Sequence, residues 1–206
     1  MLHVDAVTCI KQERCLFEDL SFSINAGEIM QLEGPNGAGK TSLLRILAGF
    51  SEPMQGQVRF MQTCIRRDYE NYAQQVLFIG HKTGVNTQLN ALENCQFWLD
   101  THGLKTDLNI YDVLSNLGLV GLEDVPVRQL SAGQQRRVAL ARLWLNDAKL
   151  WFLDEPFTAV DKKGVALLQQ RFAQHLAQQG AILLTSHQDL TAHFSHLSKL
   201  QLEYRI

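Results

Sequence analysis

The stretch Gly34-Pro35-Asn36-Gly37-Ala38-Gly39-Lys40-Thr41 constrains this chain more than any other. It fits G-x-x-x-x-G-K-[ST] at every fixed position. An apolar strand pattern, Ile29 to Glu33, runs into it, and a helical pattern from about Lys40 to Ala48 runs out. Strand, glycine-rich turn and helix make a phosphate cradle. Glycines let the backbone wrap closely, and the amides of the loop and of the helix N-terminus point at the anion. In such a cradle Lys40 reaches the β- and γ-phosphates and the Thr41 hydroxyl serves Mg²⁺. Ser42 comes next, placed for the α-phosphate. The expected ligand is a nucleoside triphosphate with its Mg²⁺.

The rest of the chain reads as strands alternating with helices. Leu20-Ser21-Phe22-Ser23-Ile24 has the period-2 alternation of a half-buried strand, and Gln57 to Met61 is another strand. Val76-Leu77-Phe78-Ile79 is an apolar run opening into a loop at Gly80-His81. The middle, Ala91 to Thr101 and Ile110 to Leu117, has helical spacing with Gly103, Gly118 and Gly121 as stops. A helix is expected from about Ser131 to Asn146, a strand from Lys149 to Leu153, a helix from Asp161 to Gln178 and a strand from Ala181 to Thr185. Alternation of this kind calls for crossover connections and a largely parallel core sheet, an α/β fold.

A second feature shares the logic of the first. Leu150-Trp151-Phe152-Leu153-Asp154-Glu155 is a buried strand ending in two carboxylates. A parallel sheet puts that end beside the phosphate loop, where Asp154 can hold Mg²⁺ through water. Glu155 follows on the other side of the pleat and can orient or deprotonate an attacking water.

Composition excludes several classes. A net charge of −2 gives no electrostatic case for nucleic-acid binding. No apolar run approaches the ~20 residues that span a bilayer. Met1-Leu2-His3-Val4-Asp5 lacks the basic and apolar regions of a secretory leader. Membrane association is therefore expected through a partner rather than by direct insertion. The cysteines at 9, 15, 64 and 95 show no zinc or redox spacing and read as reduced thiols, mostly core fillers. His193 and His196 could share one side of a helix, but no further ligand lies near them in sequence.

Leu130-Ser131-Ala132-Gly133-Gln134-Gln135-Arg136-Arg137 resembles the signature motif of ABC-type ATPases, with Ala132 in place of a usual glycine. Physically it is another anion site, a serine N-cap and small-residue amides opening a helix. The resemblance continues through Pro156-Phe157-Thr158-Ala159-Val160-Asp161 and His187, and it covers essentially the whole chain. It implies one domain over residues 1–206: a core of 1–81 and 131–206 with N-terminal antiparallel strands, and an inserted helical lobe of about 82–130. It implies two copies packed head to tail, each ATP lying between the phosphate loop of one and Ser131, Ala132, Gly133 and Gln134 of the other. Asp161 then matches the aspartate that crosses the interface, and His187 the histidine that contacts the γ-phosphate and Glu155.

Two departures from the family pattern stand out. The register of the usual adenine-stacking aromatic falls near Ile10-Lys11, where no aromatic occurs. Lys11 or an apolar neighbour would then pack on the base, and selectivity for ATP is less secure than triphosphate binding. At position 81 a histidine stands where the family has a glutamine that links metal and attacking water to the membrane partner. Unlike glutamine, histidine can change charge near neutral pH. With the Ile79-Gly80-His81 loop and the stretch Glu155 to Asp161, the chain resembles ATP-binding subunits of bacterial cytochrome c biogenesis (haem export) systems. That implies an ATPase on the cytoplasmic face of the inner membrane, bound to integral membrane subunits. It implies ATP hydrolysis coupled to haem export or to release of a haem-loaded chaperone. No Cys-x-x-Cys-His or Cys-Pro marks a haem site in the chain itself. The alternatives are the ATPase subunit of another ABC transporter, a soluble nucleotide-dependent ABC scaffold, and a soluble ABC protein acting on DNA or ribosomes.

Overall fold

The computed structural model describes residues 1–204, which divide into two compact units. The first takes in Met1–Phe78, Ala148–Glu155 and residues 175–204. The second takes in Ile79–Asp147 and Pro156–Gln174. The helical unit is thus larger than the expected lobe of about 82–130, because the segment after Ser131 and most of the helix after Asp161 cluster with it.

The first unit has two sheets. One is antiparallel, built from β1 (Leu2–Lys11), β2 (Arg14–Ile24), β4 (Gln55–Phe60) and the short β5 (Thr63–Cys64), in the order β2-β1-β4-β5. The other has the order β6-β7-β8-β3-β9, with β3 (Ile29–Glu33), β6 (Val76–Ile79), β7 (Leu150–Asp154), β8 (Ala181–Thr185) and β9 (Ser198–Gln201). The β7–β8, β8–β3 and β3–β9 pairings are parallel, as the alternation of strands and helices requires. Every residue of β7 and β8 is buried, and both strands are apolar up to their last residues, Asp154 and Thr185. The helix α1 (Lys40–Leu47) packs Leu43, Leu44, Ile46 and Leu47 into the same core as Leu32, Phe152 and Leu183. Fully burying a side chain such as Phe152 is worth about 2–3 kcal/mol, so this face alone fixes the helix on the sheet. The short α2 (Tyr69–Gln74) buries Tyr72, whose hydroxyl donates to the Leu47 carbonyl.

The second unit is helical: α3 (Ala91–Thr101), α4 (Ile110–Asn116), α5 (Ala132–Leu140) and most of α6 (Lys162–Ala177). Its interior holds Trp98, Leu99, Leu114, Val138 and Leu143, and Phe157 meets Phe172 at 5.6 Å between ring centroids. The helix expected over 131–146 stops at Leu140 and tightens into a 3-10 turn over Ala141–Leu143. The Leu143 carbonyl accepts from the Arg171 guanidinium at 2.9 Å, a partner that replaces further helical bonding.

Candidate nucleotide-binding site

Parallel pairing brings the carboxyl ends of β3, β7, β8 and β9 to one edge of the sheet, the edge where ligands bind in open α/β folds. The phosphate loop leaves β3 there. Gly34 sits at φ 142°, and a side chain on it would run into the Leu202 carbonyl, so only glycine fits. The Lys40 ammonium curls back to donate to the Gly34 carbonyl at 2.6 Å and the Pro35 carbonyl at 3.1 Å, closing the loop on itself. Gly39 caps α1 in the left-handed region without a side-chain bond, which leaves the first-turn amides of that helix unspent by any cap. Pro35, Asn36 and Gly37 are exposed, and Ala38 and Ser42 are buried.

The carboxylates meet this loop through hydroxyls. Thr41 Oγ1 donates to Asp154 Oδ2 at 2.8 Å, across 113 residues of sequence. Thr185 Oγ1 donates to the other oxygen, Oδ1, at 2.7 Å and itself accepts the Glu155 amide at 2.9 Å. Asp154 is 4% exposed and Thr185 fully buried, so the carboxylate is oriented from both sides. Strand geometry ends at Asp154. Glu155, expected to continue the pleat, instead takes a left-handed φ of 54°, held by the bond to Thr185. Its carboxylate Oε1 lies 3.5 Å from His187 Nε2. Glu155 is mostly covered and His187 mostly open to solvent. A cavity of about 310 Å³ runs past Lys40, Glu155, His187 and Gln31. Beside it Glu33 pairs with Lys199 of β9 at 2.8 Å, a bond that raises the lysine above its ordinary range.

The signature lies in the second unit and is built as a helix start. Ser131 Oγ accepts the Gln134 amide at 3.3 Å, and Gln134 Oε1 accepts the Ser131 amide at 2.8 Å, a complete capping box. Gly133 lies so close to the Ala159 carbonyl that a Cβ would stand 2.8 Å from its oxygen. Ser131 and Ala132 stay exposed. Asp161 pairs with Arg137 at 2.9 Å. The Gly164 amide, with that guanidinium, holds its carboxyl below the usual range. His81 is exposed in a loop gripped from α5 and the turn after it. Arg136 donates to the Gly80 carbonyl at 2.5 Å, and Arg142 to those of Thr83 at 3.4 Å and Gly84 at 2.7 Å.

In the first unit the structure brings together Lys40, Thr41, Asp154, Glu155 and His187. In the second it gathers Ser131, Gly133, Gln134 and Asp161. Thr185 and Gln31 escaped sequence reasoning. Each leaves a trace, a lone polar residue in an otherwise apolar strand, Ala181-Ile182-Leu183-Leu184-Thr185 and Ile29-Met30-Gln31-Leu32. Lys11 is exposed at the place of the missing aromatic. An aromatic stands nearby from elsewhere: the half-exposed Tyr204 ring carries the Arg14 guanidinium 3.9 Å from its centroid, and a methyl on Gly37 would lie 3.4 Å from it. The stretch around His193 and His196 forms turns rather than a helix. No cluster of three metal-ligating side chains occurs among the described residues.

The family model described as ABC transporter matches residues 17–158. The cytochrome c biogenesis ATP-binding export protein CcmA of Yersinia pseudotuberculosis is 54% identical over 200 residues, 97% of this chain and 92% of that protein. The protein of the same name from Vibrio cholerae is 52% identical, over 98% of both chains. Among solved structures, the ATP-binding subunit of an ABC transporter superposes with a TM-score of 0.86 at 22% identity, covering 100% of this chain and 88% of that one. The dimeric post-hydrolysis state of the ATP-binding cassette MJ0796, bound to ADP and Pi, gives 0.84 at 22% identity, covering 100% and 97%. The structural likenesses bear on the fold, which is that of an ATP-binding cassette.

Proposed function

The chain belongs to the ABC transporter family, and from that premise we propose that it is the ATP-hydrolysing subunit of a bacterial complex for c-type cytochrome biogenesis. It works on the cytoplasmic face of the inner membrane, bound to integral membrane subunits, and couples hydrolysis to haem export or to release of a haem-loaded chaperone. The names of its relatives support the pathway. No helix among the described residues is long and apolar enough to cross a membrane, which leaves the crossing to those subunits. The observation that carries the chemistry is the chain of bonds Thr41–Asp154–Thr185–Glu155, with His187 facing Glu155.

These residues fit Mg-ATP. Thr41 and Asp154 offer a hydroxyl and a carboxylate 2.8 Å apart, the hard oxygen donors that Mg²⁺ takes alongside phosphates. The glycine loop admits nothing but backbone at Gly34. Bound Mg²⁺ neutralises charge developing on the phosphates. Within the chain, the Lys40 ammonium holds the phosphate oxygens, with the loop and α1 amides around it. Glu155 accepts the proton of the attacking water at its carboxylate, and His187 Nε2 steadies Glu155 Oε1. Ser131, Ala132, Gly133 and Gln134 of a second copy close over the nucleotide head to tail, with Asp161 at the interface. The exposed helix start at Ser131 suits that contact. The Arg14–Tyr204 pair beside Gly37 serves the base in place of the missing aromatic.

The test is Glu155→Gln. Turnover should fall at least 100-fold while ATP traps a dimer, read by size-exclusion chromatography with light scattering. Hydrolysis at the wild-type rate would remove the role of Glu155. Purification from membranes tests the pathway. Recovery of a cytochrome-maturation membrane subunit supports it, and recovery of an unrelated permease removes it while leaving the ATPase intact.

A further inference from the structure

Gln31 is a polar residue in the middle of β3, between Met30 and Leu32, on a strand flanked by β8 and β9, and it is 4% exposed. Its amide nitrogen Nε2 donates to two carbonyls, Ser186 at 3.0 Å and Gln188 at 3.3 Å. Those carbonyls flank His187. Its oxygen Oε1 is buried without a hydrogen-bond partner among the described residues, a cost that a leucine or methionine at this position would not carry. Within the loop, the Gln188 amide donates to Ser186 Oγ, and the Thr191 amide and hydroxyl donate to Asp189 Oδ1. One side chain of β3 thus donates to the carbonyls on both sides of His187.

We propose that Gln31 is a positioning residue for hydrolysis. Its amide clamps the backbone on both sides of His187 and so sets the approach of Nε2 to Glu155. The inference rests on His187 acting in hydrolysis, as set out under the proposed function. Gln31 itself needs no contact with nucleotide, and its effect passes through His187 alone.

A double-mutant cycle tests this. Gln31→Met keeps length and apolar fit and removes both donors. Expected is a fall in kcat of about 10-fold with KM for ATP within twofold, because a residue acting only on the catalytic step leaves binding in place. His187→Ala lowers kcat further, and Q31M in the H187A background should lower it no more. Binding of a fluorescent ATP analogue should be unchanged in Q31M. Wild-type kcat in Q31M, or full additivity with H187A, overturns the inference and leaves the reading of the site standing. Wild-type kcat in H187A instead overturns the role of His187 itself, and the inference with it. If Q31M does not fold, Gln31→Ala enters the same cycle with the same criteria.

Discussion

A hydroxyl group carries much of the geometry at the sheet edge. Thr185 Oγ1 donates to Asp154 and accepts from the Glu155 amide, so it orients one carboxylate and holds the backbone turn that presents the other. Thr185→Val keeps the shape and removes both bonds. We expect kcat to fall about 10- to 100-fold and the Mg²⁺ needed for half-maximal activity to rise, with Thr185→Ser recovering most of both. A Mg²⁺ titration of ATPase activity in the three proteins checks this. At position 81, His81→Gln should keep substantial hydrolysis, because either side chain offers a hydrogen bond to water. Complete loss of turnover with the fold intact would show that the imidazole does chemistry glutamine cannot. Tyr204→Ala should raise the nucleotide Kd by about 5- to 150-fold, the range of one aromatic–base stack, measured by fluorescence titration. Burial pushes the Cys95 thiol up to about 12, against the pull of Arg142, so it stays protonated and slow to alkylate in the folded protein.

Among the elements, helix starts are where local chemistry is most explicit. Asn90 caps α3 through a full capping box with Glu93, as Ser131 does for α5 with Gln134. Asn90→Ala should cost about 1 kcal/mol in urea unfolding and leave nucleotide affinity unchanged. The turn into β3 is tied similarly. Glu28 accepts from the Asn25 side chain and backbone, which lowers its carboxyl below the usual range. A lowered carboxyl stabilises the fold above its unfolded value and loses that contribution as pH falls through the folded one. Glu28→Gln should therefore be destabilising at neutral pH, with the gap to wild type closing on acidification in thermal melts. These elements also mark what could be read beforehand. The bounds of α3 and β8 follow from periodicity and from glycine stops, because local pattern decides them. β9 went unseen: Ser198-Lys199-Leu200-Gln201 is short and mostly exposed, and only its pairing with β3 makes it a strand. α5 ends at Leu140, short of the expected Asn146, and the Leu143 carbonyl beyond it bonds Arg171, a partner 28 residues away that no local pattern announces. In the site, Lys40, Thr41 and Asp154 were legible because motif and strand end share a known register. Thr185 and Gln31 were not, since both act through bonds made only when distant strands pair.

For the molecule as a whole, the phosphate loop and the acidic edge belong to the first unit, and the signature to the second. Mg-ATP at about 100 times its Kd should stabilise the folded chain by about 2.7 kcal/mol, seen as a rise in Tm. Lys40→Ala should lose most of that rise while melting normally without nucleotide. In the second unit, the loop from Gly80 to Gly84 is hooked at one end by Arg136 and at the other by Arg142. Its length is therefore not free to vary as that of an ordinary surface loop is. A residue inserted between Gly80 and Gly84 must unhook one arginine or bulge into solvent, and a deletion must drag both. Anything that pushes on this loop therefore pushes on α5, which carries Arg136.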